Sequence, residues 1–270
     1  NFNKISDYIK NDNEDSSTLS GLLFLLNMYL ELEKDTHYTE FKKYVEKNRN
    51  SVSQAQLGSY YSKMISYCRL KIVNGAHEDF YRGELFETSK RFITNKYYKD
   101  DKTKNLSSVL YRIILENALE LDKLDYAEIL VEKENTSIIK EHRLDAVNYG
   151  RGLIQFYKGS FDDALESLSK VDTSFFALDQ KALRIMLFIE KKYYYECRIE
   201  IKSFKKFLQT NKFLSENLRT NWGNFLFFIS FLSNDRNGSE QVNKKMLRDL
   251  MKEKKPVYYK KWLIKKINGL

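Results

Sequence analysis

DAVNYGRGLIQFYKGSFDDALESLSKVD, residues 145–172, is the stretch on which the reading of this chain turns. It reads as two short amphipathic helices joined by a tight turn at Lys158-Gly159-Ser160. Phe161, Ala164 and Leu168 are spaced three and four residues apart, so they share one face of the second helix. Gly152, on the first helix, allows the two helices to approach closely.

The pattern repeats on both sides. Tyr126, Phe161 and Tyr194 each stand just after a turn, at intervals of 35 and 33 residues. Three positions on, Ile129, Ala164 and Cys197 are small or apolar in each case. Self-similarity at a fixed period marks helical repeats, in which one helix pair cannot bury its apolar face alone and must stack on its neighbours.

The central unit resembles the tetratricopeptide repeat, and the resemblance covers about residues 107–210. It rests on Gly152 in the first helix, Gly159 and Phe161 at the turn, and Ala164 in the second helix. Asn148 stands where the family has tryptophan, and Asp172 and Thr173 stand where it has its closing proline. The resemblance implies an all-α, right-handed superhelical solenoid of antiparallel helix pairs, with first helices lining a concave side that binds a peptide or a partner protein. On that face the sequence puts Tyr149, Leu153, Phe156 and Tyr157, with an inter-repeat core as the plainer use of the same residues. The family's clamp for a partner's C-terminal carboxylate is built from Lys, Asn and Arg. The matching positions here are Ala146, Tyr149, Gly150 and Leu153, then Asp179, Ala182, Leu183 and Met186, so that clamp is not expected.

Composition supports helices throughout. The chain has 270 residues, 42% hydrophobic and 31% charged, with a single proline and ten glycines. All-β folds need many turn residues, so this scarcity points to long helices and short loops. The expected helices cover residues 2–10, about 16–32, a segment from 35 or 36, then 51–72, ending at Asn74-Gly75, and 77–94. Others follow at 106–121, 124–134, 137–157, 161–170, 174–190, 193–209, 213–232 and 240–252. A terminal helix starts at Pro256. The charged stretch Lys96–Lys104 is the expected break between divergent repeats in 1–100 and the regular repeats of 105–255, within one domain spanning 1–270. Residues 256–270 are expected to cap the last repeat.

Net charge is +9 and is concentrated at one end: residues 244–270 hold ten Lys or Arg against Asp249 and Glu253. The segment 244–266 has two uses. One is a capping helix with Val257, Trp262, Leu263 and Ile267 on its apolar face and a lysine face to solvent. The other is a patch for nucleic acid or an anionic surface through Lys254, Lys255, Lys260 and Lys261. Arg248 is the only arginine here, and arginine is the better bidentate phosphate ligand.

Catalytic motifs are missing. The chain has no GxSxG, HExxH or P-loop, and its three histidines, His37, His77 and His142, stand apart. Cys68 and Cys197 form no CxxC or Cys/His set, so no metal site is expected and free core thiols are. The most apolar runs, Leu22–Leu30 and Phe225–Leu232, fall short of the roughly 20 residues of a spanning helix. The expectation is a cytoplasmic, non-enzymatic scaffold with no cofactor and a protein or peptide partner; nucleic-acid binding through the basic end is the alternative. Partner identity and oligomeric state are not written in the sequence.

Overall fold

The computed structural model describes residues 16–99, 105–172, 176–233, 244–253 and 256–269. Among these, thirteen α-helices and a short 3-10 helix at Asn135–Ser137 make up the regular structure, with no strand. The expected helix at 2–10 lies outside the described residues, as do 100–104 of the charged stretch, 240–243 and Thr173. The chain divides into two compact units, 1–72 with 77–117, and 73–76 with 118–270.

The first unit contains α1 (Ser16–Leu30), α2 (Asp35–Lys47), α3 (Gln54–Val73), α4 (Glu78–Thr94) and most of α5 (Ser108–Glu120). Its core sets tyrosines among Phe41, Met64, Ile65, Leu85 and Phe92. Tyr38 and Tyr67 stack with centroids 5.4 Å apart and rings 7° from parallel, and Tyr81 meets both near edge-on at 5.7 and 5.8 Å. A buried tyrosine needs a partner for its hydroxyl. Tyr38 donates to Glu84 Oε2 at 3.0 Å, Tyr81 to Asp35 Oδ1 at 2.7 Å and Tyr29 to the Lys63 carbonyl at 2.8 Å. The first part of α5 belongs here because Arg69 pairs with Glu116 at 3.1 Å and Asn117 Nδ2 donates to the Arg82 carbonyl at 3.0 Å. The boundary between units therefore falls inside α5, past the charged stretch.

The second unit takes the end of α5 and continues through α6 (Leu124–Lys133), α7 (Lys140–Lys158), α8 (Phe161–Ser169), α9 (Ala177–Glu190), α10 (Tyr194–Thr210), α11 (Glu216–Leu232), α12 (Lys244–Glu253) and α13 (Lys260–Asn268). One turn geometry, also present at Lys96 of the first unit, recurs three times in this one. Asp122, Gly159 and Lys192 are left-handed, with φ of 56°, 81° and 61°. The amides of the residues that follow, Lys123, Ser160 and Tyr193, donate back to the Ala118, Gln155 and Phe188 carbonyls at 2.8, 2.9 and 2.8 Å. This is the Schellman arrangement, which satisfies helix-end carbonyls and reverses the chain in two residues.

The turns correct the repeat alignment. The amides of Ala127, Ala164 and Cys197 each bond to the residue four positions back at 3.1, 3.0 and 2.9 Å, and all three side chains are fully buried. Ala127, not Ile129, is the equivalent of Ala164; Ile129 is 48% exposed. Tyr126 lies within α6, and Leu124 takes the place of Phe161. The intervals become 37 and 33, because the first position moves two residues back, from Tyr126 to Leu124.

Gly152 does make the close approach between α7 and α8: a Cβ there would stand 3.0 Å from Leu168 Cγ and 3.3 Å from the Ala164 carbonyl oxygen. The end of α8 is closed by side chains instead of a proline. Gln180 Nε2 donates to the Leu168 and Val171 carbonyls at 2.9 and 3.1 Å, and Asn148 Nδ2 to the Lys170 carbonyl at 3.3 Å.

Several expected helix starts are displaced; those expected at 51 and 137 lie at Gln54 and Lys140. The helix expected from Phe213 begins at Glu216, where the Ser215 hydroxyl caps it by accepting from the Leu218 amide at 3.4 Å. The helix expected from Pro256 begins at Lys260. Pro256 instead offers its carbonyl to Asn224 Nδ2 at 3.0 Å, and Tyr258 turns onto the Trp222 ring at 4.3 Å.

Candidate functional site

α7 is apolar over more than one stripe, since Ala146, Tyr149, Leu153 and Phe156 are joined by Val147 and Ile154. A helix apolar over so wide an arc is buried between neighbours. Tyr149, Leu153 and Phe156 are all buried. Tyr149 lies flat on Phe176, with centroids 5.0 Å apart and an 18° tilt. Phe156 meets Phe161 at 6.0 Å, Tyr157 at 5.7 Å and Trp262 at 6.4 Å. Tyr157 is half-buried and donates to Glu120 Oε1 at 2.8 Å. These four residues are therefore interior packing and a link to the end of α5, and they do not form an open face.

α13 supplies the neighbour that the sequence did not. Its apolar residues Trp262, Leu263 and Ile267 are buried; it packs beside α11 and α12, where Arg248 Nε donates to Asn268 Oδ1 at 2.9 Å, and its side chains also reach the ends of three other helices. Lys261 Nζ donates to the Glu120 carbonyl at 2.8 Å, at the end of α5, and stands 3.7 Å from Asp122. Trp262 stands against Phe156 in the last turn of α7. Its Nε1 donates to Glu190 Oε1 at 2.8 Å, at the end of α9, and Lys266 pairs with Oε2 of the same carboxylate. Carbonyl-rich helix C-termini carry partial negative charge, so ammonium groups are favoured there. Just before α13, Tyr259 packs on Trp222 and Phe225 of α11 at 6.3 and 5.8 Å.

This placement changes the meaning of the basic segment. α13 does not cover only the last pair; it crosses the ends of α5, α7 and α9. Lys261 faces acceptors from its own unit, and so does Lys266, which the sequence reading did not single out. Lys260 is half-buried, and Lys254 and Lys255 lie outside the described residues. What signalled the arrangement was the run Lys261-Trp262 with Lys266 four residues on. Its partners, the Glu190 carboxylate 72 residues away and the Glu120 backbone carbonyl 141 residues away, carry no local signature.

The first unit holds a polar cluster that sequence reasoning missed. Lys71 Nζ is buried, 2.7 Å from Asp35 Oδ1 and 2.9 Å from the Leu32 carbonyl oxygen, which it also serves as a donor. His77, left-handed at φ 46°, brings Nε2 to 3.5 Å from Asp35 Oδ2. Burial raises the Asp35 carboxyl's pKa, but the bonds from Lys71 and Tyr81 outweigh it and hold the group below its ordinary value of 3.8. Burial and then the Asp35 bond push the Tyr81 hydroxyl far above its usual range. A shallow groove of about 560 Å³ lies alongside, lined by Asp35, Thr36, Thr39, Glu40, Lys43, His77 and Phe80. The strongest bonds of the cluster join its own members, which is the arrangement of a structural ion pair.

His37 bonds Glu31 at 2.6 Å and Glu40 at 3.4 Å through its two ring nitrogens, and His142 is half-buried. Cys68 and Cys197 are free and buried, and burial pushes both thiols up to about 12. Neither is a thiolate at neutral pH. Among the described residues no group of His, Cys, Asp and Glu is arranged to hold a metal, and no helix is long and apolar enough to cross a membrane. No family model matches the chain, and neither does any curated protein.

Proposed function

We propose that the chain is a non-enzymatic scaffold of tetratricopeptide-like helix pairs, wound as a right-handed solenoid, that binds a protein or peptide. The observation that carries this reading is the docking of α13. A face assembled from the ends of α5, α7 and α9 receives one amphipathic helix through an indole hydrogen bond and two lysine–acceptor contacts. The recurring turn at Asp122, Gly159 and Lys192 supports the repeat architecture behind that face. Stacked pairs of this kind offer surfaces more readily than enclosed pockets.

Nucleic-acid binding through the basic end is the weaker reading, because Lys261 and Lys266 are already matched to acidic and carbonyl groups of the same unit. The two readings separate in one pair of assays. The full chain is used to capture partners from its source cell, and in parallel is titrated against nucleic acid over a range of salt. Stoichiometric recovery of one protein, with weak nucleic-acid binding, supports the scaffold. Tight nucleic-acid binding that weakens steeply with salt and is abolished by changing Lys260 and Lys261 to Glu would replace it.

A further inference from the structure

We propose that the face under α13 is a receptor for a lysine-rich amphipathic helix, and that α13 is its resident occupant. A partner helix bearing the same pattern, Lys-Trp with a second Lys four residues after the Trp, displaces it. The inference rests on the scaffold reading and names the class of partner.

The argument starts from what α13 is. It has nine residues, four of them lysines, and a lone helix of that length is marginal in water. Its order comes from the surface it lies on. That surface is chemically distinct from the rest of the unit's core. It offers the Phe156 ring to Trp262, the Glu190 carboxylate to both the indole N–H and Lys266, and the Glu120 carbonyl with Asp122 to Lys261. An aromatic slot flanked by acceptors at helix C-termini selects a helix with one aromatic anchor and lysines on either side. Anchors at helical spacing in a groove are the usual mode of helix recognition. Residues 256–259, which lead into α13, are not helical, and Tyr259 is left-handed at φ 54°; Pro256 and Tyr258 hold this lead-in on α11.

A resident occupant lowers the apparent affinity of any competitor by the fraction of time the face is open. The test uses the full chain and a fluorescent synthetic peptide of residues 256–269. The wild-type chain is expected to bind the peptide weakly. Lys266→Glu weakens the resident helix and leaves the face intact, so it is expected to bind the native peptide about tenfold tighter or more. The Glu190→Lys chain reverses the preference: it takes a peptide carrying Lys266→Glu about tenfold more tightly than the native peptide. Equal affinity for the wild-type and Lys266→Glu chains overturns the proposal, as does the absence of binding to both or a loss of selectivity in the swap. Loss of cooperative unfolding in the Lys266→Glu chain also overturns it, because a displaceable occupant is not required for folding. The capture assay fails separately: a partner recovered by a chain that ignores the peptide leaves the scaffold reading standing with another surface in use.

Discussion

Trp262 donates its indole N–H to Glu190 Oε1 across 2.8 Å, joining α13 to the end of α9. The same carboxylate takes Lys266, so one acid orients both the aromatic anchor and a lysine of the terminal helix. Trp262→Phe keeps most of the buried ring and removes the donor. A hydrogen bond to a charged acceptor contributes roughly 1.5–3 kcal/mol, and with Lys266 still in place a loss of about 1–2 kcal/mol is expected. Denaturant unfolding followed by Trp222 fluorescence measures it. An unchanged midpoint would show that the bond adds nothing to the docking.

Ala164 sits where α7 and α8 come closest, its carbonyl against Gly152. Ala164→Leu is expected to overpack this contact and cost about 1–3 kcal/mol. The corrected repeat register makes the same forecast for Ala127→Leu, whereas Ile129→Ala should stay within about 0.5 kcal/mol. Thermal melts of the three variants decide the register. A larger loss at Ile129 than at Ala127 would restore the alignment read from sequence.

That register shows how far the sequence was legible. Gly159 announces its turn because glycine is the usual left-handed residue. Asp122 and Lys192 take the same conformation without announcing it, so the aromatic Tyr126 was aligned with Phe161 instead of Leu124. Tyr149 and Phe156 were visible as an apolar stripe. Whether such a stripe is groove or core depends on what lies over it, and Phe176 and Trp262 come from 27 and 106 residues away. The Lys71–Asp35–Tyr81 cluster was hidden for the same reason, since three separate helices supply it.

The turns make a prediction of opposite sign at two equivalent positions. A non-glycine residue in the left-handed region is strained by roughly 1–2 kcal/mol, and glycine's greater freedom in the unfolded chain offsets part of any gain. Lys192→Gly is expected to stabilise the protein by about 0.5–1 kcal/mol, and Gly159→Ala to destabilise it by about 1 kcal/mol. Differential melting tests both. Destabilisation by Lys192→Gly would mean that the Lys192 side chain contributes more than the strain removes.

The depressed Asp35 carboxyl links stability to acid. Its folded pKa lies below the ordinary 3.8, so its contribution is complete above that value and is lost as pH falls through the folded pKa. Asp35→Asn removes the negative charge facing the buried Lys71 ammonium, which keeps the Leu32 carbonyl and its place over the Tyr81 ring. The expected cost at neutral pH is about 1–3 kcal/mol, below that of a fully buried pair because Asp35 is about one-third exposed. Unfolding curves from pH 7 to pH 2 should show the gap between wild type and variant narrowing below the ordinary Asp range. A gap that stays constant to pH 2 would remove the ion pair as its cause.

The central claim is that α13 is a helix held on the second unit as a ligand is held. Native-state hydrogen exchange at low denaturant reads this directly, since it separates local opening from global unfolding. The account predicts that amides of residues 263–268 open at a lower free energy than those of Leu153, Ile154 and Leu187, with little dependence on denaturant. If the α13 amides exchange only through global unfolding, with the same free energy as α7 and α9, the helix is an inseparable part of the core and the claim is contradicted.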